Sequence, residues 1–141
     1  MNALYELINF PTKADSNGAL TVMQAGTGAM AIPFPIKRVF IVTNTSPTSR
    51  RGGHTHHKTE HVLVALAGGC TIALDNGKER MKVALNKPNV GVLLPPYVWH
   101  TMQDFKKGTV LMVIASTLYD ERDYIRSYEE FLGYINKKRH A

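Results

Sequence analysis

The chain has 141 residues, a formal net charge of +6 and a single cysteine, Cys70. Hydrophobic residues make up 44% and charged residues 20% of it, which is typical of a globular domain and not of a disordered chain. One cysteine excludes an internal disulfide and is compatible with the reducing cytoplasm, and no apolar run reaches the roughly 18 residues of a membrane helix. We therefore expect a cytoplasmic domain with no membrane partner. It covers residues 1–141, alone or as part of a longer fusion enzyme.

The excess of positive charge does not predict nucleic-acid binding. Part of it lies at the extreme C-terminus, in residues 137–139, and no basic stretch is interleaved with aromatic residues elsewhere. The remaining basic side chains suit a small anion such as a nucleotide diphosphate better than a polyanion: Lys37, Arg38, Arg50 and Arg51.

The chain from its start to residue 116 reads as a succession of short strands. The N-terminal stretch LYELINF (4–10) is strand-like and has no obvious partner next to it in sequence. An Asn-Gly signal in DNGK (75–78) predicts a hairpin. The other strand-like runs are 36–45, 60–68, 70–75, 79–85, 90–95 and 109–116. Such spacing predicts an antiparallel sandwich or barrel.

Histidines are concentrated in the segment RRGGHTHHKTEH (50–61). Successive side chains of a strand point to opposite faces, so His54 and His56 share a face and His57 points away. Gly52 and Gly53 let the backbone bend just before them. PPYVWH (95–100) ends a later strand with a further histidine. These features predict a histidine-lined site.

The C-terminal part has helical spacing instead. Its apolar positions are Tyr124, Ile125, Tyr128, Phe131, Leu132 and Ile135. Asp120 is a plausible N-cap residue before them. We therefore expect one C-terminal helix that packs these aromatic residues against the barrel.

The histidine motifs resemble those of the cupin superfamily. The first cupin motif, an H-x-H followed by another ligand and a glycine, matches His54, His56, His61 and Gly68. The second motif matches Pro95 and His100, with Tyr97 in the place of a glycine. The resemblance implies an all-β, cupin-type double-stranded β-helix, or jelly roll, with the short C-terminal helix added.

Longer strings narrow the resemblance to the sugar nucleotide 3,4-ketoisomerases. They are IPFPIKRVFIV (32–42), RGGHTHHKTEHVLVALAGGC (51–70), LPPYVWHTMQDF (94–105) and LMVIASTLYDERDYIRSYEEF (111–131). The resemblance implies a homodimer with exchanged N-terminal strands. It also implies a dTDP-4-keto-6-deoxyglucose substrate and a 3-keto product that is later aminated in deoxysugar biosynthesis.

Moving a carbonyl from C4 to C3 removes a proton at C3, passes through an enediol and returns a proton at C4, without a redox cofactor. Imidazole is well matched to such proton transfers near neutral pH. The family pattern assigns this work to His54 and His56, one as the C3 base and the other at the C4 side, with their roles interchangeable at this stage.

Other residues are candidates for substrate contacts. A permanently charged, forked guanidinium suits a diphosphate or an enediolate, which favours Arg51, and strand alternation lets only one of Lys37 and Arg38 face the cavity, for which we select Arg38. Tyr97 and Trp99 either stack on the ligand or belong to the core. Asn17 departs from the arginine or tyrosine of some relatives. His100 could deliver a proton at C4, which favours the galacto product.

Two alternatives remain open. A set of His54, His56, His61 and His100 could bind zinc, iron, nickel or copper in a metal-dependent cupin enzyme, although the ketoisomerase chemistry needs no metal. The other alternative is a cupin that binds a sugar nucleotide without catalysis.

Overall fold

The structure is a computed structural model that describes residues 4–140. The expected domain of residues 1–141 therefore extends slightly beyond it at both ends. The described part is all-β with one C-terminal helix, α1 (Tyr128–His140). The strands are β1 (Glu6–Asn9), β2 (Thr12–Asp15), β3 (Gly18–Thr21), β4 (Arg38–Val42), β5 (Arg51–His56), β6 (His61–Ala67), β7 (Cys70–Asp75), β8 (Arg80–Leu85), β9 (Val90–Leu94), β10 (Trp99–Gln103), β11 (Val110–Ala115) and β12 (Tyr124–Ile125).

Ten of these strands form two antiparallel sheets, ordered β1-β9-β6-β11-β4 and β12-β5-β10-β7-β8, while β2 and β3 form a separate hairpin. The inner faces of the two sheets share one apolar cluster, in which Leu63 and Val113 of the first sheet join Ile72 and Leu74 of the second. The predicted hairpin at residues 75–78 connects β7 and β8. The expected jelly roll is confirmed.

The middle strand β6 of the first sheet is buried on both faces, which explains its continuous apolar run. Leu63 belongs to the cluster between the sheets, whereas Val62 and Val64 pack in a second cluster with Phe10 and Phe34. A strand covered on both faces reads as uninterrupted hydrophobic sequence. Because alternate residues share a face, His61 points inward with Leu63.

The N-terminal strand has a partner within its own chain. β1 runs antiparallel to β9, with Glu6 opposite Leu93 and Asn9 opposite Val90. The partner strand comes much later in the sequence, and β1 itself forms the edge of the first sheet.

The C-terminal helix begins later than its spacing predicts. Asp120 caps a short 3₁₀ turn, Glu121–Asp123, by accepting a hydrogen bond from the backbone N–H of Arg122. Tyr124 and Ile125 then extend as β12 against β5, so their expected place in the helix is wrong. Pairing with β5 outweighs helical propensity here, and the Ser127 hydroxyl accepts from Glu130 N–H at the true helix start.

The α-helix found within residues 4–140 is α1, and it is not long and apolar enough to cross a bilayer.

Candidate active site

A cavity of about 410 Å³ lies between the two sheets. Strands β5, β10 and β12 of the second sheet form one wall, and β4, β6 and β11 of the first sheet form the other. Its polar lining consists of four histidines, three arginines and one tyrosine: His54, His56, His61, His100, Arg50, Arg51, Arg126 and Tyr124.

Close approach of β5 and β10 brings the first histidines together. His54 lies opposite His100 in the register of these strands, which shifts between His100 and Thr101. Gly52 has a φ of +84°, and a Cβ at this position would lie 2.8 Å from the carbonyl oxygen of His100. Only glycine fits such a left-handed, crowded position without strain. The backbone bend expected from the two glycines is thus present, and it lets β5 approach β10 closely enough to place His54 next to His100.

The four imidazoles form one cluster. The ring centroid of His54 lies 5.1 Å from that of His56 and 5.0 Å from that of His100. His61 lies 4.5 Å from His56, measured in the same way. His57 lies outside this group, as strand alternation predicts, and its Nδ1 is 2.8 Å from the hydroxyl of Tyr97.

Burial keeps these imidazoles neutral. It lowers the pKa of His54 to about 3, with a further contribution from His100 and His56, and it lowers that of His61 to about 2. The pKa of His56 falls less, to about 4, because Asp123 partly opposes burial and the charge of His100. A neutral imidazole has a free lone pair that can accept a proton.

Asp123 orients His56 from outside the cavity. Its Oδ2 lies 3.2 Å from His56 Nδ1, its Oδ1 accepts from the backbone N–H of Lys58 at 2.8 Å, and the Thr59 hydroxyl donates to Oδ2. Burial raises the pKa of this carboxyl, but the hydrogen bonds and His56 outweigh it and the pKa is lowered. A carboxylate on Nδ1 selects the tautomer that leaves Nε2 for the cavity. Sequence reasoning missed Asp123 because its partners are far away in the chain.

Arginines gather at the cavity beside Tyr124. The guanidinium of Arg126 lies 4.4 Å from the centroid of the Tyr124 ring and donates to Glu121 at 2.8 and 3.0 Å. Hydrogen bonds from Arg126 and Tyr119 lower the pKa of Glu121 to about 2. Sequence reasoning placed Tyr124 in the helix and did not select Arg126. Arg50 and Arg51 add positive charge to the same cavity.

Arg38 of β4 points towards the cavity side of its strand. Arg38 shares the inward face of β4 with Phe40 and Val42, its guanidinium lies 5.4 Å from the Phe40 ring, and its charge lowers the pKa of His56 and His61. Its predicted orientation is therefore found.

Three candidates lie away from the cavity. Because His100 and Met102 of β10 point inward, Trp99 points outward and packs on Tyr128 and Phe131 at 5.3 and 5.6 Å between centroids. Tyr97 pairs with His57 beside α1. Asn17 is exposed in the turn between β2 and β3. Among residues 4–140, these three do not line the cavity, and their contacts with a ligand stay predictions.

Comparisons with known proteins agree with this geometry. Residues 3–136 match the family model described as "FdtA: WxcM-like, C-terminal". The chain is 44% identical over 132 residues to the TDP-4-oxo-6-deoxy-alpha-D-glucose-3,4-oxoisomerase of Aneurinibacillus thermoaerophilus, covering 94% of this chain and 93% of the relative. This chain belongs to the sugar nucleotide 3,4-ketoisomerases. The ketoisomerase family resemblance read from the motifs is confirmed.

Two solved ketoisomerases share its fold. One is a variant of QdtA from Thermoanaerobacterium thermosaccharolyticum in complex with TDP-4-keto-6-deoxyglucose, with a TM-score of 0.90, 40% identity and 97% coverage of both chains. The other is WlaRA, a TDP-fucose-3,4-ketoisomerase of Campylobacter jejuni, with a TM-score of 0.86, 34% identity and coverage of 94% and 96%. These relatives show that the chain is an isomerase.

The histidine cluster of this ketoisomerase also has the donors of a metal site. Single nitrogens of His54, His56 and His100 all lie within 4.8 Å of one another. The Nδ1 of His100 lies 3.0 Å from the carbonyl oxygen of Val98, and the Nδ1 of His56 is held by Asp123. The Nε2 atoms of both histidines therefore remain available for a ligand. Metal binding and proton transfer would use the same lone pairs.

Proposed function

We propose that this chain converts TDP-4-keto-6-deoxyglucose into the corresponding TDP-3-keto-6-deoxyhexose. The observation that carries the proposal is the pair of buried, neutral imidazoles, His54 and His56, on one face of a cavity wide enough for a hexose. The structural relative solved with this sugar nucleotide supports the choice of substrate.

One imidazole of the pair takes the proton from C3, and the C3–H electrons form the C3–C4 double bond of an enediol. The same proton, or one exchanged with solvent, is returned to C4 as the C3 oxygen becomes the carbonyl. His56, held by Asp123, keeps its orientation through both steps.

The arginines of the cavity bind the diphosphate in this proposal. Arg50 and Arg51 precede His54 in the sequence, and Arg126 directly follows β12. All three line the cavity. Guanidinium groups donate in a fork that matches phosphate oxygens. Arg38 adds a fourth positive charge close to His56 and His61.

We also propose that the product has the galacto configuration at C4. His100 lies beside His54 on the neighbouring strand of the same wall, with its ring centroid 5.0 Å away, so a further imidazole can return a proton at C4. Reductive trapping of the product followed by proton coupling constants distinguishes the two configurations. A gluco product would contradict this assignment for His100.

A homodimer completes the proposed enzyme, and the single-domain chain is proposed to work in the cytoplasm. Apolar side chains remain exposed on the outer face of β4 and on the β2–β3 hairpin: Val39 is 51%, Ile41 52% and Leu20 65% exposed. Exchange between subunits would bury them. Light scattering should give about twice the 15.7 kDa chain mass, and a stable, active monomer would refute the dimer.

Incubation of the purified chain with TDP-4-keto-6-deoxyglucose in heavy water, followed by NMR, tests the activity. We expect the C3 proton signal to disappear and a C3 carbonyl to form in the product. A chain that binds TDP but leaves the substrate unchanged is a binding protein, and this outcome would overturn the proposal.

A further inference from the structure

Among residues 4–140, Tyr124 is the tyrosine that lines the cavity. It lies opposite His56 in the register of β12 and β5. Its ring centroid is 4.4 Å from that of His56 and 5.1 Å from that of His54, so the phenol packs against both proposed proton carriers. On the opposite wall, β4 contributes Phe40 and Val42, neither of which can donate a proton.

The hydroxyl of Tyr124 is also free to contact a ligand. Tyr97, Tyr119 and Tyr128 each engage their hydroxyl with a side chain, of His57, Glu121 and Asp75 respectively. Within residues 4–140, the Tyr124 hydroxyl has no such hydrogen bond, although its ring is half-buried at the cavity. A phenol both donates and accepts a proton, so it can serve two oxygens in turn.

We propose that Tyr124 is a catalytic residue that carries a proton between the two substrate oxygens, O4 and O3. This inference rests on the proposed function, in which an imidazole carries the other proton between C3 and C4. It separates the two proton movements of the isomerisation between two kinds of side chain.

The first half of the reaction protonates O4. As the imidazole takes the C3 proton, the C3–H electron pair forms the C3–C4 double bond, and the C4 carbonyl π pair moves to O4. O4 takes the hydroxyl proton of Tyr124. This step leaves the enediol, an imidazolium and the Tyr124 phenolate.

The second half restores both side chains. The phenolate takes the proton of the O3 hydroxyl, and the O–H pair forms the C3 carbonyl. The electrons of the C3–C4 double bond take the proton of the imidazolium at C4. One proton has moved from carbon to carbon and one from oxygen to oxygen, with no external reactant.

Arg126 lies beside Tyr124 at the cavity. Its guanidinium lies 4.4 Å from the ring centroid and stays charged at every physiological pH. The same residue can therefore bind the diphosphate side of the substrate next to the relay.

The substitution Tyr124→Phe tests the relay because it removes the hydroxyl and keeps the ring contacts with both histidines. We expect kcat to fall by at least about 10²-fold, the lower range for a lost acid–base group, while KM changes by less than about threefold. The matched control is Tyr134→Phe, which removes a phenol on α1 that packs on His57 outside the cavity and should leave kcat unchanged.

The outcomes separate the two proposals. If the wild-type chain makes no product, the proposed function fails. If the wild-type chain makes product and Tyr124→Phe has a normal kcat, or loses only affinity, the relay alone fails.

A second measurement keeps the test valid should Tyr124→Phe fold poorly. Incorporation of 3-fluorotyrosine at all six tyrosines leaves every ring in place and makes each phenol more acidic. We expect the alkaline limb of the kcat profile to move to lower pH. An unmoved profile would overturn the relay.

Discussion

At the scale of single residues, the histidine pair can be separated from its neighbour of the same type. His54 and His56 line the cavity, whereas His57, adjacent in sequence, contacts Tyr97 outside it. We expect His54→Asn and His56→Asn each to lower kcat by at least about 10²-fold while the fold is retained. His57→Asn is the matched control and should retain activity. Near-normal turnover in either cavity variant, measured with the same NMR assay, would remove that histidine from the mechanism.

Asp123 should act through His56 and not on the substrate. In Asp123→Asn the side chain still accepts a hydrogen bond but no longer carries the charge that favours the Nδ1–H tautomer. We expect kcat to fall by about tenfold or more with little change in KM. The ¹⁵N NMR shifts of His56 should report a larger share of the other tautomer. Unchanged shifts alongside a lower kcat would reduce Asp123 to a packing role.

Metal ions should inhibit this enzyme rather than activate it. The nitrogens of His54, His56 and His100 are close enough to bind one transition-metal ion, and an ion there would occupy the lone pairs that accept protons. We expect EDTA-treated protein to keep its activity, and added Zn²⁺ or Ni²⁺ to inhibit in competition with substrate. Loss of activity on chelation, with recovery on adding a metal, would favour a metal-dependent enzyme.

At the scale of elements, the contact between β5 and β10 sets the site. Gly52 has positive φ and almost touches β10, whereas Gly53 has a φ of +73° with open space at its Cβ position. Gly53→Ala should therefore cost only the backbone strain, about 1–2 kcal/mol. Gly52→Ala adds the clash with His100 and should cost more, and it should also lower kcat. Urea unfolding of the two variants measures the difference, and equal losses would show that the clash is relieved cheaply.

The C-terminal segment shows why one element was predicted wrongly. Tyr124 and Ile125 continue the helical spacing of the following residues, but β5 offers them hydrogen-bonding partners at His56 and Thr55. A local pattern cannot register a strand that lies so far back in the sequence. The error matters for function, since Tyr124 and Arg126 line the cavity and Asp123 holds His56 from outside it.

At the scale of the whole molecule, the buried histidines make stability depend on pH. The pKa values of His54, His56 and His61 are about 3, 4 and 2 in the fold, below the ordinary value of 6.5. Between these limits the unfolded chain binds more protons than the folded chain, so stability is lost as pH falls from about 6.5 towards 4. Each titrating imidazole adds a slope of up to about 1.4 kcal/mol per pH unit.

The variant His61→Gln removes one of these groups. Its free energy of unfolding should fall less steeply between pH 6.5 and 4 than that of the wild-type chain, as measured by urea unfolding at a series of pH values. Parallel curves would mean that His61 is protonated in the fold.

The sequence by itself determined the jelly roll, the ketoisomerase family and the shared face of His54 and His56. All three depend on local features, namely strand alternation, turn residues and contiguous motifs. Only the tertiary structure decided that His61, His100, Tyr124 and Arg126 meet these two in one cavity, and that Trp99, Tyr97 and Asn17 do not. Those positions depend on which distant strands pair and which faces they turn inward, and the packing of two sheets sets both.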